Sequence, residues 1–161
     1  MMSVKCPVCS MQVPAGQLGI AYQGIHLSFC SEQCQQRFKE HPHLYVGSPG
    51  QKAAKQEGIE SVKQRRYVLD RPLSGGQAKA ISESLARMMG IRDVAVRGVD
   101  VIIRYDLLEV TAEQLERALE AAGARLGNGW GERMRRALVR YSEECETANL
   151  ATTSSTRHRG H

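Results

Sequence analysis

Four cysteines crowd into the first 34 residues of this 161-residue chain, and they constrain its fold more than any other feature. They form two close pairs, Cys6 with Cys9 and Cys30 with Cys34. A Cys-x-x-Cys turn brings two thiolates to one ion, which is the geometry of a zinc knuckle. A segment of about 45 residues is too small to fold on apolar burial alone. The spacing therefore predicts a small module that is held together by a metal ion.

The expected compartment supports metal over disulfides. No stretch approaches the roughly 20 consecutive apolar residues of a membrane span, and the first nine residues lack the apolar core of a signal peptide. We therefore expect a cytoplasmic protein without membrane insertion. In a reducing cytosol, a cysteine cluster favours metal binding over disulfide formation.

The second cysteine pair differs from the first because it lies at the start of a helix. Ser31 is a good N-cap, and Cys34 then falls in the first turn of a short helix through Lys39. The positive helix end lowers the pKa of a thiol there and favours metal binding. The residues between the two pairs leave room for a β-hairpin. A knuckle, a hairpin and a helix N-terminus together predict a treble-clef-like zinc module.

Three segments of this module resemble a known family: CPVCSMQV, YQGIHLSFCSEQCQQRF and HPHLY. Over residues 4–46 they resemble the YHS domain and its relative, the TRASH domain. The resemblance implies metal binding, often in proteins encoded near or fused to heavy-metal transporters and sensors. Ser10 stands where that family usually has glycine, which weakens the turn but leaves the four cysteines in place.

We predict one tetrahedral Zn²⁺ site made by Cys6, Cys9, Cys30 and Cys34. Three interpretations stay open: a purely structural zinc, a site that receives or releases copper(I), zinc or another soft metal, and an iron site. Met11 and His26 lie close to the cluster in sequence. Each is either an auxiliary ligand or a packing or supporting residue.

The rest of the chain predicts an α+β protein with a second domain. Residues 1–46 form the cysteine module, and residues 47–65 read as a linker rich in Gly, Ser and Lys. Residues 66–126 follow the order β, α, β, β, α, β, which is typical of a ferredoxin-like sandwich. Its predicted features are capping boxes at Ser74 with Gln77 and at Thr111 with Gln114, a hairpin turn at Gly98, and a last strand at 124–126.

The segment LARMMGIRDVAVRGVDVIIRYDLLEVTAEQLERALEAAGARL gives residues 66–126 a weaker resemblance to the heavy-metal-associated domain of copper transporters. That family places a Met-x-Cys-x-x-Cys loop where this chain has Ser74 and Gln77. Serine and glutamine are poor partners for a soft ion, and a capping box explains them without metal. Gly75 and Gly76 fit helix entry better than an anion loop. We therefore predict a scaffold, docking or dimerisation domain that binds no metal.

A final amphipathic helix is predicted within 127–150, from about Glu132 to Thr147. Its apolar stripe is expected to cover the sheet, the cysteine module or a second subunit, with Cys145 as a buried thiol. Residues 151–161 are predicted to be a disordered tail, in which two histidines would bind metal only unspecifically. The stripe consists of Met134, Ala137, Leu138, Tyr141 and Cys145, and the histidines are His158 and His161.

These features favour a cytoplasmic metal-binding accessory protein in copper or zinc homeostasis. A heavy-metal transporter or another protein would dock on the ferredoxin-like domain or the last helix, and a homodimer is a further arrangement. The alternative is a zinc-stabilised nucleic-acid-binding transcriptional regulator. The net charge of +5 lies mostly in the linker and tail, and four glutamates interrupt the basic face of the last helix. That face carries Arg133, Arg135, Arg136 and Arg140.

An enzyme is not expected. The sequence offers no nucleophile with a base, no phosphate loop of useful length and no paired carboxylates. The predicted thiolate site is closed, without an open position for substrate or water.

Overall fold

The computed structural model describes residues 2–48, 50–127 and 129–156. The chain divides into two compact units, Met1–Glu60 together with Glu146–His161, and Ser61–Cys145. Among the helices of the described residues, none combines the length and the apolar character that a membrane crossing requires.

The first unit contains two small antiparallel sheets and a helix. Strand β1 (Ser3–Lys5) pairs with β2 (Gln12–Pro14), and β3 (Ile20–Tyr22) pairs with β4 (Ile25–Leu27). Two residues with positive φ, Gln23 and Gly24, join β3 to β4, as a tight hairpin of this hand requires. Helix α1 (Glu32–Glu40) follows, and then a 3₁₀ turn at Pro42–Leu44. The hairpin and the helix predicted between and after the cysteine pairs are confirmed.

An aromatic cluster forms the core of the first unit. The Phe38 ring lies 5.3 Å from that of Phe29, 5.4 Å from that of Tyr22 and 6.1 Å from that of Tyr45, measured between centroids. Rings bury more area per residue than aliphatic side chains. The rings therefore let this short segment bury a large apolar area with few residues.

The second unit is a three-stranded antiparallel sheet with helices. Strand β5 (Val62–Val68) precedes α2 (Gly75–Ala86), the hairpin of β6 (Ile91–Arg97) and β7 (Asp100–Asp106), and α3 (Ala112–Ala121). The strand order is β5-β7-β6. One face of the sheet packs on the two helices in an apolar core that includes Ile81, Leu85, Val101, Ile103, Tyr105, Leu115 and Leu119.

The local signals predicted for this unit are confirmed. Ser74 caps α2 and Thr111 caps α3, each in a complete capping box with the glutamine three residues later. Gly98 turns the hairpin at a φ of 59°. Since each signal depends on neighbours in sequence, each could be predicted without tertiary information.

The predicted four-stranded sandwich is wrong in its last strand. In place of a strand at 124–126, the described residues have a single antiparallel bridge between Leu126 and Leu69. The Gly127 N–H donates to the Val68 carbonyl (2.9 Å), and the next helix already begins at Trp130. The segment therefore leaves the edge of β5 after one bridge.

The predicted linker and first strand also differ from the structure. Strand β5 begins at Val62, inside residues 47–65, whereas the predicted domain and its first strand begin no earlier than residue 66. Ala53 and Ala54, within the same predicted linker, are buried. Small alanine side chains pack closely here, so part of this segment is folded and not a free spacer.

The last helix, α4 (Trp130–Thr156), extends beyond the predicted end and into the tail that was expected to be disordered. His158 and His161 lie outside the described residues. The predicted buried stripe is also wrong, because Met134, Leu138 and Tyr141 are 46%, 62% and 67% exposed and Cys145 is exposed. The helix instead buries polar residues, and partners for their polar groups make that burial possible.

Candidate metal centre

The first two cysteines lie in the turn between β1 and β2. The Cys6 N–H donates to the Met11 carbonyl (2.8 Å), and the Ser10 N–H donates to the Cys6 carbonyl (2.9 Å). Ser10 adopts a positive φ of 67°, which explains why glycine suits this position. The β1–β2 pairing closes the turn behind the thiols. Cys6 and Cys9 are therefore held by backbone bonds on one side of a tight loop.

The other two cysteines flank the start of α1. The Ser31 hydroxyl accepts a hydrogen bond from the Cys34 N–H at 3.4 Å, which makes Ser31 the N-cap as predicted. The Cys30 thiol lies 3.6 Å from the same hydroxyl. Cys34 thus lies in the first turn, where the partial positive charge of the helix end stabilises a thiolate.

The fold brings all four predicted cysteines together. Their Sγ atoms all lie within 4.8 Å of one another. The Sγ of Cys30 is 3.3 Å from that of Cys9 and 3.4 Å from that of Cys34. Tetrahedral zinc with bonds of about 2.3 Å requires sulfurs roughly 3.8 Å apart, so the cluster has the dimensions of a single-ion site.

Crowding of the thiols alters their acidity. Contacts of its thiol with Cys34 and Cys9 hold the pKa of Cys6 far below its usual value. Cys34 has its pKa raised by contacts with Cys6 and Cys9 and by burial. For Cys9, the contact with Cys34 lowers the pKa, but the contact with Cys6 and burial outweigh it and raise the pKa to about 12. In the metal-free cluster, the Cys6 thiol therefore loses its proton more readily than the thiols of Cys9 and Cys34.

The donor set is all sulfur, which fits a soft or borderline metal ion. Cys6 and Cys34 are 1% and 0% exposed, and Cys9 and Cys30 are half-buried. Cys6 and Cys34 are therefore closed to water, while Cys9 and Cys30 remain partly accessible.

Of the remaining site candidates, Met11 lies beside the cluster, whereas His26 and Cys145 do not belong to it. His26 is exposed on β4, and among the His, Cys, Asp and Glu side chains of the described residues the cluster contains only the four cysteines. Met11 is 47% exposed and contributes its carbonyl to the Cys6 turn. Cys145 is exposed on α4, so its prediction as a buried thiol is wrong.

Sequence reasoning missed a buried charged residue on the helix that carries Cys34. Arg37 of α1 is 1% exposed, lies 3.7 Å from the Glu40 carboxylate and donates to the Thr147 hydroxyl (3.4 Å). Both partners belong to the same unit. Arg37 anchors the helix that carries Cys34. An arginine one turn before a helix end usually faces solvent, so no local signal distinguishes it.

Comparison with known proteins identifies the first module and no more. The chain has no significant match among curated proteins or among solved structures. The α/β region that follows the cysteine module is of unknown family. Residues 4–48 match the family model of the YHS domain, and all four clustered cysteines lie within that match.

Proposed function

We propose that this chain is a metal-binding accessory protein in heavy-metal homeostasis, and that Cys6, Cys9, Cys30 and Cys34 together bind one Zn²⁺. The observation that carries the proposal is the convergence of four Sγ atoms within 4.8 Å of one another inside the YHS match. Four thiolates close a tetrahedral shell, and such a shell stabilises a small fold.

Zinc is the proposed resident ion, and copper(I) is its main competitor. Both bind thiolates, but zinc requires the four-coordinate arrangement that these cysteines offer, whereas copper(I) is satisfied by fewer thiolates. A role in metal handling beside a heavy-metal transporter is inferred from the resemblance to YHS-type modules. Such modules often occur in proteins that are encoded near, or fused to, these transporters. No catalytic role is proposed, because four protein ligands leave no open position on the ion.

The direct test is native mass spectrometry of the full chain purified without added metal. We expect one zinc ion per chain, loss of the ion in Cys30→Ser, and retention in Cys145→Ser, the matched thiol control. Substoichiometric metal in the wild type that Cys30→Ser leaves unchanged contradicts the proposal.

A chelator separates structural binding from handling. If the ion only holds the module together, its removal follows unfolding of the module, and the near-ultraviolet circular dichroism of the aromatic cluster disappears at the same rate. If the protein transfers its metal, the ion passes to a competing chelator while that signal persists. The second result supports the handling role, and the first restricts the site to structure.

The nucleic-acid alternative is not favoured by the charges of α4. Arg140 pairs with Glu116, Arg136 donates to the Gly127 carbonyl, and Arg135 lies 4.0 Å from Glu132. Nucleic-acid binding would require a basic face without acidic side chains, and Glu116 and Glu132 lie among these arginines. Fluorescence anisotropy with duplex DNA at low salt tests this function, and we expect no binding.

A further inference from the structure

Over the part of the chain that the structure describes, one edge of β5 has no partner strand, and we call it the free edge. In antiparallel pairing, successive residues direct their backbone groups alternately toward the partner strand and away from it. The Leu69 N–H donates to the Val99 carbonyl (2.7 Å), whereas the Val68 carbonyl accepts from Gly127 on the other side (2.9 Å). Gln64 and Arg66 therefore share the outward direction of Val68. Within the described residues, β7 is the only strand that pairs with β5 over Val62–Val68.

A cavity of about 270 Å³ lies along this edge, within the second unit. It is bounded by residues 64–68 of β5, by Glu116 of α3, and by α4 residues Glu132, Arg135, Arg136 and Val139. We call this space the β5 groove. The predicted last strand would have occupied the same edge, but the chain leaves it after the bridge at Leu126.

The β5 groove carries an excess of positive charge. Four arginines line it against two glutamates. The five N–H donors of each guanidinium exceed the contacts seen here. Arg65 donates to the Gln64 carbonyl, Arg66 lies 3.7 Å from Asp100, and Arg136 donates to the Gly127 carbonyl. The groove can therefore bind further carboxylates.

Two buried polar atoms in the groove lack hydrogen-bond partners among the described residues: Nε of Arg65 and Oε1 of Glu116. Glu116 is 4% exposed. Buried polar groups are nearly always hydrogen-bonded, so an orphaned donor and an orphaned acceptor beside one cavity indicate a missing polar partner. An extended peptide supplies both kinds of group.

We propose that an extended acidic segment of a partner protein adds to the free edge of β5 as a further strand. Its backbone would bond to Gln64 and Arg66, and its Asp or Glu side chains would be held by the groove arginines. Main-chain pairing provides affinity in this mode of recognition, and side-chain pockets provide specificity. Single-stranded nucleic acid is less favoured, because such sites use exposed aromatic rings and the groove's Tyr67 is buried.

The test uses the full metal-loaded chain and a fluorescein-labelled heptapeptide, acetyl-TVEVEVT-amide, in an anisotropy titration. We expect binding, with affinity about tenfold lower for the peptide that has glutamine in place of glutamate, because glutamine keeps an acceptor oxygen but its hydrogen bonds to arginine lose the contribution of the negative charge. Equal affinities, no binding of the acidic peptide, or tighter binding of a twelve-nucleotide oligothymidylate would overturn the proposal.

Two further measurements locate the peptide. Arg135→Ala should weaken binding about tenfold, whereas Arg117→Ala, which removes an exposed arginine paired with Glu113 on α3, should not change it. Hydrogen exchange at the Gln64 and Arg66 amides should slow when peptide is added. The Arg65 amide, directed toward β7, is the internal reference. Unchanged exchange at both outward amides, or an equal effect of the two alanine variants, also overturns the proposal.

Discussion

The Tyr105 hydroxyl donates a hydrogen bond to the Glu143 carboxylate, and both side chains are buried. The other oxygen of Glu143 accepts the N–H of Ala112 at 2.7 Å, in the first turn of α3. A carboxylate at this position also faces the positive end of the helix dipole. A polar contact to β7 and α3, and not an apolar stripe, therefore fixes this part of α4.

We expect Glu143→Ala to destabilise the second unit by about 3 kcal/mol, because the Tyr105 hydroxyl and the Ala112 N–H would remain buried without a partner. Glu143→Gln keeps one acceptor oxygen and should therefore destabilise the unit less than Glu143→Ala does. Urea unfolding followed by circular dichroism measures both. The exposed neighbour provides the control, since Glu144→Ala should change stability by no more than about 0.5 kcal/mol. Equal effects at the two positions would contradict the role of Glu143.

Two buried tyrosines predict a loss of stability at alkaline pH. Burial, with nearby Glu116 and Glu143, raises the pKa of Tyr67 above its usual value of 10.0, and burial with Glu143 does the same for Tyr105. Above pH 10.0 the unfolded chain loses these protons while the folded chain keeps them. Stability from this source is therefore constant below pH 10.0 and falls as the pH rises further.

The variant Tyr67→Phe removes one of these two titrating protons and so measures the contribution of Tyr67. It also removes a hydrogen bond from the Tyr67 hydroxyl to the Ala112 carbonyl, which lowers stability at every pH. Above pH 10.0, the fall of the unfolding free energy with pH should become shallower by about 1.4 kcal/mol per pH unit, which is the contribution of one proton. Urea midpoints between neutral and alkaline pH measure it. Parallel curves for the variant and the wild type would show that Tyr67 does not contribute to the slope.

The features that the sequence predicted correctly depend on residues that lie close to one another along the chain. The spacing of Cys6 and Cys9, the cap at Ser31 and the capping box at Ser74 are local, and the structure confirms the local geometry at each. Whether a strand forms at 124–126 depends on where the chain turns away from β5, which no local pattern specifies.

The buried face of α4 was mispredicted for a different reason. A helical stripe such as Met134, Leu138 and Tyr141 predicts burial only when the opposite face is costly to bury. Glu143 is not costly to bury here, because the Tyr105 hydroxyl and the Ala112 N–H satisfy its two oxygens. Those partners come from distant parts of the chain.

Ser10 predicts a stabilising substitution next to the metal centre. Its φ of 67° is unfavourable for a residue with a side chain, at a cost of about 1 kcal/mol, and its side chain is exposed. Ser10→Gly relieves this strain, although glycine gains entropy in the unfolded chain. We expect a net gain of about 0.5 kcal/mol in thermal unfolding of the metal-loaded protein. Ser3→Gly in β1, where glycine weakens a strand, should shift stability in the opposite direction. A loss in Ser10→Gly would show that the serine hydroxyl is needed.

Metal binding should release protons from the cysteine cluster. The raised pKa of Cys9, about 12, and the raised pKa of Cys34 keep both thiols protonated at neutral pH, whereas zinc binds the thiolates. Both protons must leave when the ion binds, so the apparent affinity should rise by at least about 100-fold per pH unit near neutrality. Calorimetric titrations of the metal-free protein in buffers that differ in ionisation enthalpy count the released protons. Cys145→Ser should give the same count. Release of fewer than these two protons would mean that Cys9 or Cys34 is not a ligand, or that its thiol is already ionised before the ion arrives.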